Sequence, residues 1–396
     1  MTLSGRHVLL GVSGGIASYK TCTLARRFIE AGAAVDVVMT ASATQFVRPT
    51  TFEALIGRPV LTSLWERDRA LAHISLAREP GLVVVAPATA NLLARVAQGI
   101  ADDLLTALLL ARTGPVLVAP AMNDMMLAHP ATGRNLELLE NRGWSIIGPE
   151  SGPLAEGPSD RPGRMSEPDA IFVAAERLLR QADSRLAGRR VLVTAGPTRE
   201  LLDPIRVITN RSSGRMGFAL ARAAYARGAD VTLIAGPTAL TPPIGPDVMR
   251  VESTADLAEA VGNALPETDV LLMAAAPADY RPAAPESTKR RRSDGAIAVE
   301  LHPSVDVLET TRSRRKGGSI AVGFAYETEH GVARARAKLE RKGLDLVVLN
   351  LDEEGSGAEV ETNRVTLVSA DAAQELPLLP KSDAAERILD AVERLL

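Results

Sequence analysis

Two glycine-rich turns in this chain carry the residue types that hold phosphate. The first reads Gly11-Val12-Ser13-Gly14-Gly15-Ile16 and sits between an apolar run and a helical pattern. Glycines let backbone amides approach an anion, and a helix N-terminus favours negative charge. Alone, this turn reads either as a phosphate cradle or as a plain tight turn. It is not G-x-G-x-x-G, and the next apolar run ends Val38-Met39-Thr40 without the acid that would hold an adenosine ribose. The same acid is missing after Leu233-Ile234-Ala235, which argues against NAD and for a mononucleotide. The second turn reads Thr194-Ala195-Gly196-Pro197-Thr198-Arg199-Glu200, and Asn210-Arg211-Ser212-Ser213-Gly214-Arg215-Met216-Gly217 then opens a helix. Two hydroxyls, two glycines and a helix start suit a triphosphate, although Ser212 and Ser213 alone read first as helix caps.

Further groups gather near each turn in sequence order. Pro87-Ala88-Thr89-Ala90-Asn91 and Pro120-Ala121-Met122-Asn123 each follow an apolar run, and His73 leads into the first of these runs. The small residues leave room for a flat ring, and the Asn123 amide can bond a carboxylate. His7, His129, His302 and His330 lack such company and read as structural. In the second half, Ala275-Ala276-Pro277-Ala278-Asp279-Tyr280 ends a strand pattern, and Lys289 lies in the polar loop beyond it. A carboxylate such as Asp279 can hold a divalent ion on phosphates, and a mobile lysine can neutralise charge developing there. Arg290-Arg291-Arg292 reads as a solvated loop.

The elements that must position these residues are short. Apolar runs at 8–12, 34–40, 81–86 and 115–119 alternate with helical patterns, and the grammar restarts at 190–194, 231–235, 270–275, 319–324, 344–350 and 364–368. Continuous Val/Leu/Ala runs of this kind suit a parallel sheet buried on both faces. The helix-stop-strand sequence Glu30-Ala31-Gly32-Ala33-Ala34-Val35 recurs as Ala226-Arg227-Gly228-Ala229-Asp230-Val231. The expected fold class is therefore α/β: two doubly wound, Rossmann-like or flavodoxin-like three-layer domains with mainly parallel sheets, at 1–182 and 188–396. The polar stretch 181–189 marks the boundary, and the Gly/Pro-rich segment 148–163 is a candidate lid.

Composition sets the class. The 396 residues are 46% hydrophobic, 23% charged and 3% aromatic, with a formal charge of −3, so nothing points to nucleic acid or a membrane surface as partner. Cys22 is the only cysteine, which rules out an internal disulfide or multi-cysteine metal site and suits a reducing compartment. No apolar stretch approaches the roughly 18–20 residues needed to span a bilayer, and no secretory signal pattern opens the chain. A cytoplasmic location is expected.

Several of these segments, taken in order, resemble a known family. Ser13-Gly14-Gly15-Ile16-Ala17, His73, Pro87–Asn91, Asp102-Asp103-Leu104 and Pro120–Asn123 with Met126 are similar to the FMN-dependent cysteine decarboxylases, in their phosphopantothenoylcysteine branch. The resemblance implies FMN as cofactor, held by Ser13, Gly14, Gly15, Ile16, Ser42, Pro87, Thr89 and Asn91. It makes His73 the catalytic base and assigns the substrate to Asn123, Met122, Arg164 and Met165. Oxidising the substrate thiol to a thioaldehyde would place C=S β to the carboxylate and let CO2 leave.

The second half resembles phosphopantothenate–cysteine ligase, with matches continuing through Gly323-Phe324-Ala325, Lys338-Leu339, Lys342-Gly343, Asn350 and Asn363-Arg364-Val365. That likeness implies CTP, Mg2+ on its phosphates at Asp279, 4'-phosphopantothenate and cysteine. It assigns the nucleotide to Gly196, Ser212, Ala275, Ala276, Asp279, Lys289, Phe324, Lys338 and Lys342. Asn210 and Lys289 become catalytic and Arg206 a substrate contact. Trimeric contacts for the first half and dimeric contacts for the second imply a homo-oligomer, with a dodecamer as one form.

The lid departs from the family pattern. Where members carry a cysteine that assists the final reduction, this chain has Glu156, followed by the expected Gly163-Arg164-Met165. Either Glu156 or Asp160 supplies a proton, or the reaction stops at an enethiol. Other readings are an FMN-binding regulatory protein without turnover and a prenyl-transferring flavoprotein, which leaves the second half unexplained.

Overall fold

A computed structural model describes residues 2–65, 72–153, 157, 159–289, 298–327, 331–351, 356–357 and 359–396. The chain parts into two compact units, Met1–Leu179 and Arg180–Leu396.

In the first unit the order is β1 (His7–Val12), α1 (Ser18–Glu30), β2 (Ala34–Met39), α2 (Pro49–Ile56), α3 (Ala72–Arg78), β3 (Leu82–Ala88), α4 (Ala90–Ala97) and α5 (Leu104–Ala111). There follow β4 (Val116–Pro120), α6 (Asp124–Ala128), α7 (Pro130–Asn141), β5 (Ser145–Ile146), β6 (Glu150–Ser151), β7 (Pro162–Arg164) and α8 (Pro168–Arg180). Five parallel strands run β2-β1-β3-β4-β5. Every residue of β3 and β4 is buried, as the unbroken Val/Leu/Ala runs require when helices cover both faces. The strand order reverses between β1 and β3, so a ligand crevice is expected outside their carboxyl ends. Asp103 and Thr106 form a capping box that fixes the start of α5 beneath that edge. The lid segment is more ordered than a loop at both its ends, because β6 pairs antiparallel with β7, Glu150 opposite Arg164.

The second unit contains β8 (Arg190–Ala195), β9 (Arg199–Leu201), β10 (Val207–Thr209), α9 (Arg215–Ala226), β11 (Asp230–Ala235), β12 (Asp247–Arg250), α10 (Thr254–Ala264) and β13 (Val270–Met273). It continues through β14 (Tyr280–Pro282), β15 (Leu301–Pro303), α11 (Val307–Thr311), β16 (Ile320–Glu327), α12 (Gly331–Lys342) and β17 (Leu346–Leu351). It closes with β18 (Thr362–Asn363), β19 (Val365–Val368), β20 (Ala373–Glu375), β21 (Leu379–Pro380) and α13 (Lys381–Leu395). The main sheet runs β12-β11-β8-β13-β16-β17-β19-β20. It is parallel up to β17, and β19 and β20 are antiparallel. Its order reverses between β8 and β13, the second switch point. Two apolar layers sandwich the sheet, one centred on Leu220, Ala224, Ile388 and Leu389, the other on Leu257, Val261, Leu271 and Val347.

Residues 180–189 fold with this second unit. Leu186 is fully buried in its core, Ser184 donates to the Glu393 carboxylate, and Arg185 donates to the Glu393 carbonyl at 2.8 Å. Arg180 and Arg227 both grip Glu386 on α13, and Arg227 also reaches Asp390 and Glu393. No helix among the described residues is long and apolar enough to cross a membrane.

Candidate active sites

At the first switch point the β1 and β3 loops are stapled together. The buried Ser13 hydroxyl donates to the Pro87 carbonyl at 2.7 Å and accepts the Thr89 amide at 3.0 Å. The Thr89 hydroxyl in turn caps α4 by accepting the Leu92 amide, and the Ser18 hydroxyl donates back to the Gly15 carbonyl at 2.6 Å. Gly14 lies against Ser42 so closely that a Cβ there would meet the Ser42 Cβ at 2.3 Å, whereas Gly15 has ordinary clearance to Thr89 and Pro87. Type and spacing at Ser13, Gly14 and Thr89 thus become one interlocked turn.

A cleft of about 890 Å³ opens above it, lined by Ser13, Gly14, Gly15, Ile16, Ser42, Thr89 and Asn91 from this edge. Met122, Asn123, Arg164 and Met165 complete the far wall. The Met122 amide donates to the Gly163 carbonyl at 3.0 Å, and a Cβ on Gly163 would meet the Met122 carbonyl at 2.6 Å. That contact presses the lid's tail against the Pro120–Asn123 loop. The Asn123 side-chain oxygen accepts the Met125 and Met126 amides, which fixes the amide's orientation at the start of α6. The wall also holds Lys20, Tyr19 and Arg95, which the sequence pattern did not single out. Lys20 lies in the first turn of α1, directly after the glycine loop, which was the available signal. Lys20 bonds Glu167, which also pairs with Arg164; both hold the Glu167 carboxyl below its usual range. Arg95 pairs with Asp102 and Asp103.

Two expected residues stand outside this lining. Pro87 is buried beneath the turn and contributes its carbonyl to Ser13. His73 sits in the first turn of α3, outside the described lining of the cleft, and its Nδ1 is buried without a hydrogen-bond partner among the described residues. Glu156 lies outside the described residues.

The second switch point has the same plan. The Ala275 amide donates to the Thr194 hydroxyl at 3.1 Å, the Ala276 amide to the Gly196 carbonyl at 2.9 Å, and the Ala278 amide to the Thr198 hydroxyl at 2.8 Å. Asn210 donates its amide to the Pro277 carbonyl at 2.9 Å, tying the α9 approach to the same loop. Gly196 and Gly214 both have positive φ and face each other, with 3.3 Å left for a Cβ on Gly214. Ser212 accepts the Gly214 amide at 3.4 Å beside the start of α9. Asp279 and Lys289 are exposed beyond this edge. Phe324 lies on β16 and packs against the core.

Three expected cations have local partners. Lys338 donates to the Phe324 carbonyl at 2.6 Å, and burial pushes its amine below the usual lysine range. Lys342, buried, donates to Asp306 and Glu309. Arg206 pairs with the buried Asp203 at 3.1 Å, in a turn whose Ile205 and Arg206 amides bond the same carboxylate. A smaller cavity of about 200 Å³ lies beside Arg206, between Leu202, Pro282, Glu286 and Val299.

Known proteins repeat this two-part plan. Residues 1–179 match the Flavoprotein family, and residues 186–396 match the DNA/pantothenate metabolism flavoprotein C-terminal domain. The Coenzyme A biosynthesis bifunctional protein CoaBC of Mycobacterium tuberculosis is 47% identical over 402 residues, covering 98% of this chain and 96% of the relative. Proteins of the same name from Bacillus subtilis and Vibrio cholerae are 43% and 42% identical, each covering 99% of this chain and 98% of the relative. The chain belongs to the family of bifunctional coenzyme A biosynthesis enzymes, joining a flavoprotein decarboxylase domain to a ligase domain.

Proposed function

We propose that the second unit makes 4'-phosphopantothenoylcysteine from 4'-phosphopantothenate, cysteine and CTP with Mg2+, and that the first unit, holding FMN, decarboxylates it to 4'-phosphopantetheine. The observation that carries this reading is the pair of stapled glycine turns, each at the switch point of its own parallel sheet.

The first cleft fits a flavin mononucleotide. Its volume suits a drug-sized or cofactor-sized ligand. The close approach of Gly14 to Ser42 leaves backbone rather than side chain at the phosphate end. Bound FMN would supply the two-electron oxidation of the substrate thiol that makes loss of CO2 possible, and would return those electrons to the resulting enethiol as a proton is added. Around it, Ser13 and Thr89 hold the cradle, Asn91 and Ser42 offer polar contacts, and Asn123 orients the substrate carboxylate. Arg164, Met165 and Met122 enclose the substrate, and Glu156, which takes the place of the family's lid cysteine in the sequence, supplies the proton. His73 serves as base. Its Nδ1, without a partner among the described residues and outside the cleft lining, fits a site completed where copies of this unit meet. The exposed Ile16, Tyr19 and Met126 on the cleft rim fit the same arrangement.

In the second unit a carboxylate oxygen of 4'-phosphopantothenate attacks the α-phosphorus of CTP and pyrophosphate leaves. The cysteine amine then attacks the acyl carbon and CMP leaves. The Gly196 turn, Ser212 and the start of α9 receive the phosphates, with Ala275 and Ala276 at the nucleotide. Asp279 holds Mg2+, and Asn210 and Lys289 stabilise charge on the acyl-cytidylate and its formation. Phe324, Lys338 and Lys342 shape the β16–α12 side, and Arg206 faces the acid substrate. Leu201, Ile205, Val207, Tyr280 and Leu301 are exposed on the short β9–β10 and β14–β15 ribbons, an apolar face suited to a second ligase copy. The product of the second unit is the substrate of the first, and a cytoplasmic homo-oligomer follows from this account.

The test is His73→Asn, with CO2 release and ligation measured on one preparation. CO2 release should vanish while pyrophosphate release persists. Joint loss in a folded protein refutes this division of labour. The glutamate at 156 favours one second reading, an enethiol-releasing decarboxylase, which shows as a product two hydrogens lighter.

A further inference from the structure

Lys381 is a lysine in an unfavourable place. It opens α13, where the helix dipole presents its positive end, and only 5% of its surface is exposed. Arg215 opens α9 in the same disfavoured manner and pairs with Glu361 at 2.7 Å. Glu361 is otherwise open to solvent, its side chain 79% exposed. Among the described residues, two cations therefore stand at two helix N-termini beside the solvated Glu361 carboxylate. Positive side chains added to helix N-termini strengthen a field that favours an anion.

The same lysine props a turn. Its ammonium donates to the Gly357 carbonyl at 2.9 Å, and its backbone amide donates to the Glu361 carbonyl at 3.0 Å. The Gly357 amide donates to the Asn363 side chain at 3.2 Å. Ser356 donates to Asn350 and accepts the Arg364 amide, both at 3.0 Å. Gly357 lies against Tyr326 near the carboxyl end of β16, with 3.4 Å left for a Cβ. The turn thus sits at the sheet's carboxyl edge, on the side where α9 begins beside Gly196 and Gly214. This explains the Asn350 and Asn363-Arg364 segments, which the proposed chemistry leaves without a role.

We infer that Lys381 is a positioning residue of the ligase site: it holds the Ser356–Gly357 turn and, with Arg215, sets the positive field that receives the triphosphate of CTP. This rests on the ligase reading above. Burial, with Arg215 nearby, lowers the Lys381 amine to about 8. Among the described residues, the charged groups acting on it are Arg215 from α9 and Glu361 from the segment before β18, and Arg215 keeps Glu361 ionised well below that pH. A bound triphosphate favours the protonated amine, so binding takes up a proton above pH 8 and weakens as pH rises further.

Calorimetric titration of the full chain with CTP and Mg2+, at pH 7 and pH 9.5 in buffers of different ionisation enthalpy, tests this. Wild type should bind about tenfold more weakly at the higher pH, the effect of one charge at moderate distance, with proton uptake near pH 8.5. Lys381→Arg should bind equally at both pH values without uptake, and Lys381→Met should bind weakly at both. Wild-type pH dependence retained in Lys381→Arg overturns the inference even if Lys381→Met does not fold. Absence of CTP binding by wild type at pH 7 overturns the ligase reading and this inference with it.

Discussion

Replacing Gly14 by alanine should remove the flavin while leaving ligation intact. The added methyl carbon would stand 2.3 Å from the Ser42 Cβ and 2.9 Å from its carbonyl carbon. One chain or the other must retreat by about 1 Å to reach ordinary contact. The obstacle is mostly backbone, and Ser42 is not free to move, because the Ala43 amide that follows donates to the Thr40 carbonyl at 2.9 Å. Overpacking of this kind costs about 1–3 kcal/mol. Spent on the cradle, that is roughly a 5- to 150-fold loss of FMN affinity. Absorbance of the purified proteins and fluorescence titration of the apoproteins with FMN give the two affinities, and circular dichroism reports folding. Gly14→Ala binding FMN as tightly as wild type refutes the claim that this close approach forms the cradle.

Other perturbations separate the two units. Gly236→Ala would set a methyl 1.8 Å from the Pro197 carbonyl oxygen, so it should displace the Gly196–Thr198 turn at a cost of about 3 kcal/mol. Pyrophosphate release should fall while flavin content stays constant. Glu386→Gln removes the carboxylate between Arg180 and Arg227; Arg227 keeps Asp390 and Glu393, so the loss should be about 2 kcal/mol. Burial alone would raise the Glu386 carboxyl, but Arg180 and Arg227 outweigh it and hold it below the ordinary 4.5. A depressed carboxyl contributes stability above its unfolded value and loses it as pH falls through the folded one. The melting gap between wild type and Glu386→Gln should therefore be full near neutral pH and close below pH 4.5.

The sheets were legible because buried parallel strands need unbroken apolar runs, and Val83-Val84-Val85 or Leu271-Leu272 allow no other placement. Gly32 and Gly228, both at φ 91°, ended their helices as their positions suggested. Boundaries moved where long-range bonds decided them. Pro87 joined β3 because its neighbourhood is fixed by Ser13, far away in sequence, and β16 ran on to Glu327 because β17 pairs with it that far. The glycine turns, Asn123 and Asn210 were visible from residue type and order. The local partners of Lys338, Lys342 and Arg206 were not, because a cation's sequence does not reveal the carboxylate or carbonyl that folding brings beside it. Lys381 escaped notice for the converse reason: a lysine opening a helix looks like surface until Gly357 and Arg215 close around it.

The most direct test is mass spectrometry of a reaction holding the purified chain, FMN, 4'-phosphopantothenate, cysteine, CTP and Mg2+. The account predicts 4'-phosphopantetheine, with pyrophosphate and CMP formed in step with ligation. Accumulation of 4'-phosphopantothenoylcysteine, or of the enethiol two hydrogens lighter, would contradict the claim that the first unit completes its reaction without a lid cysteine. Absence of any cysteine adduct would contradict the ligase assignment itself.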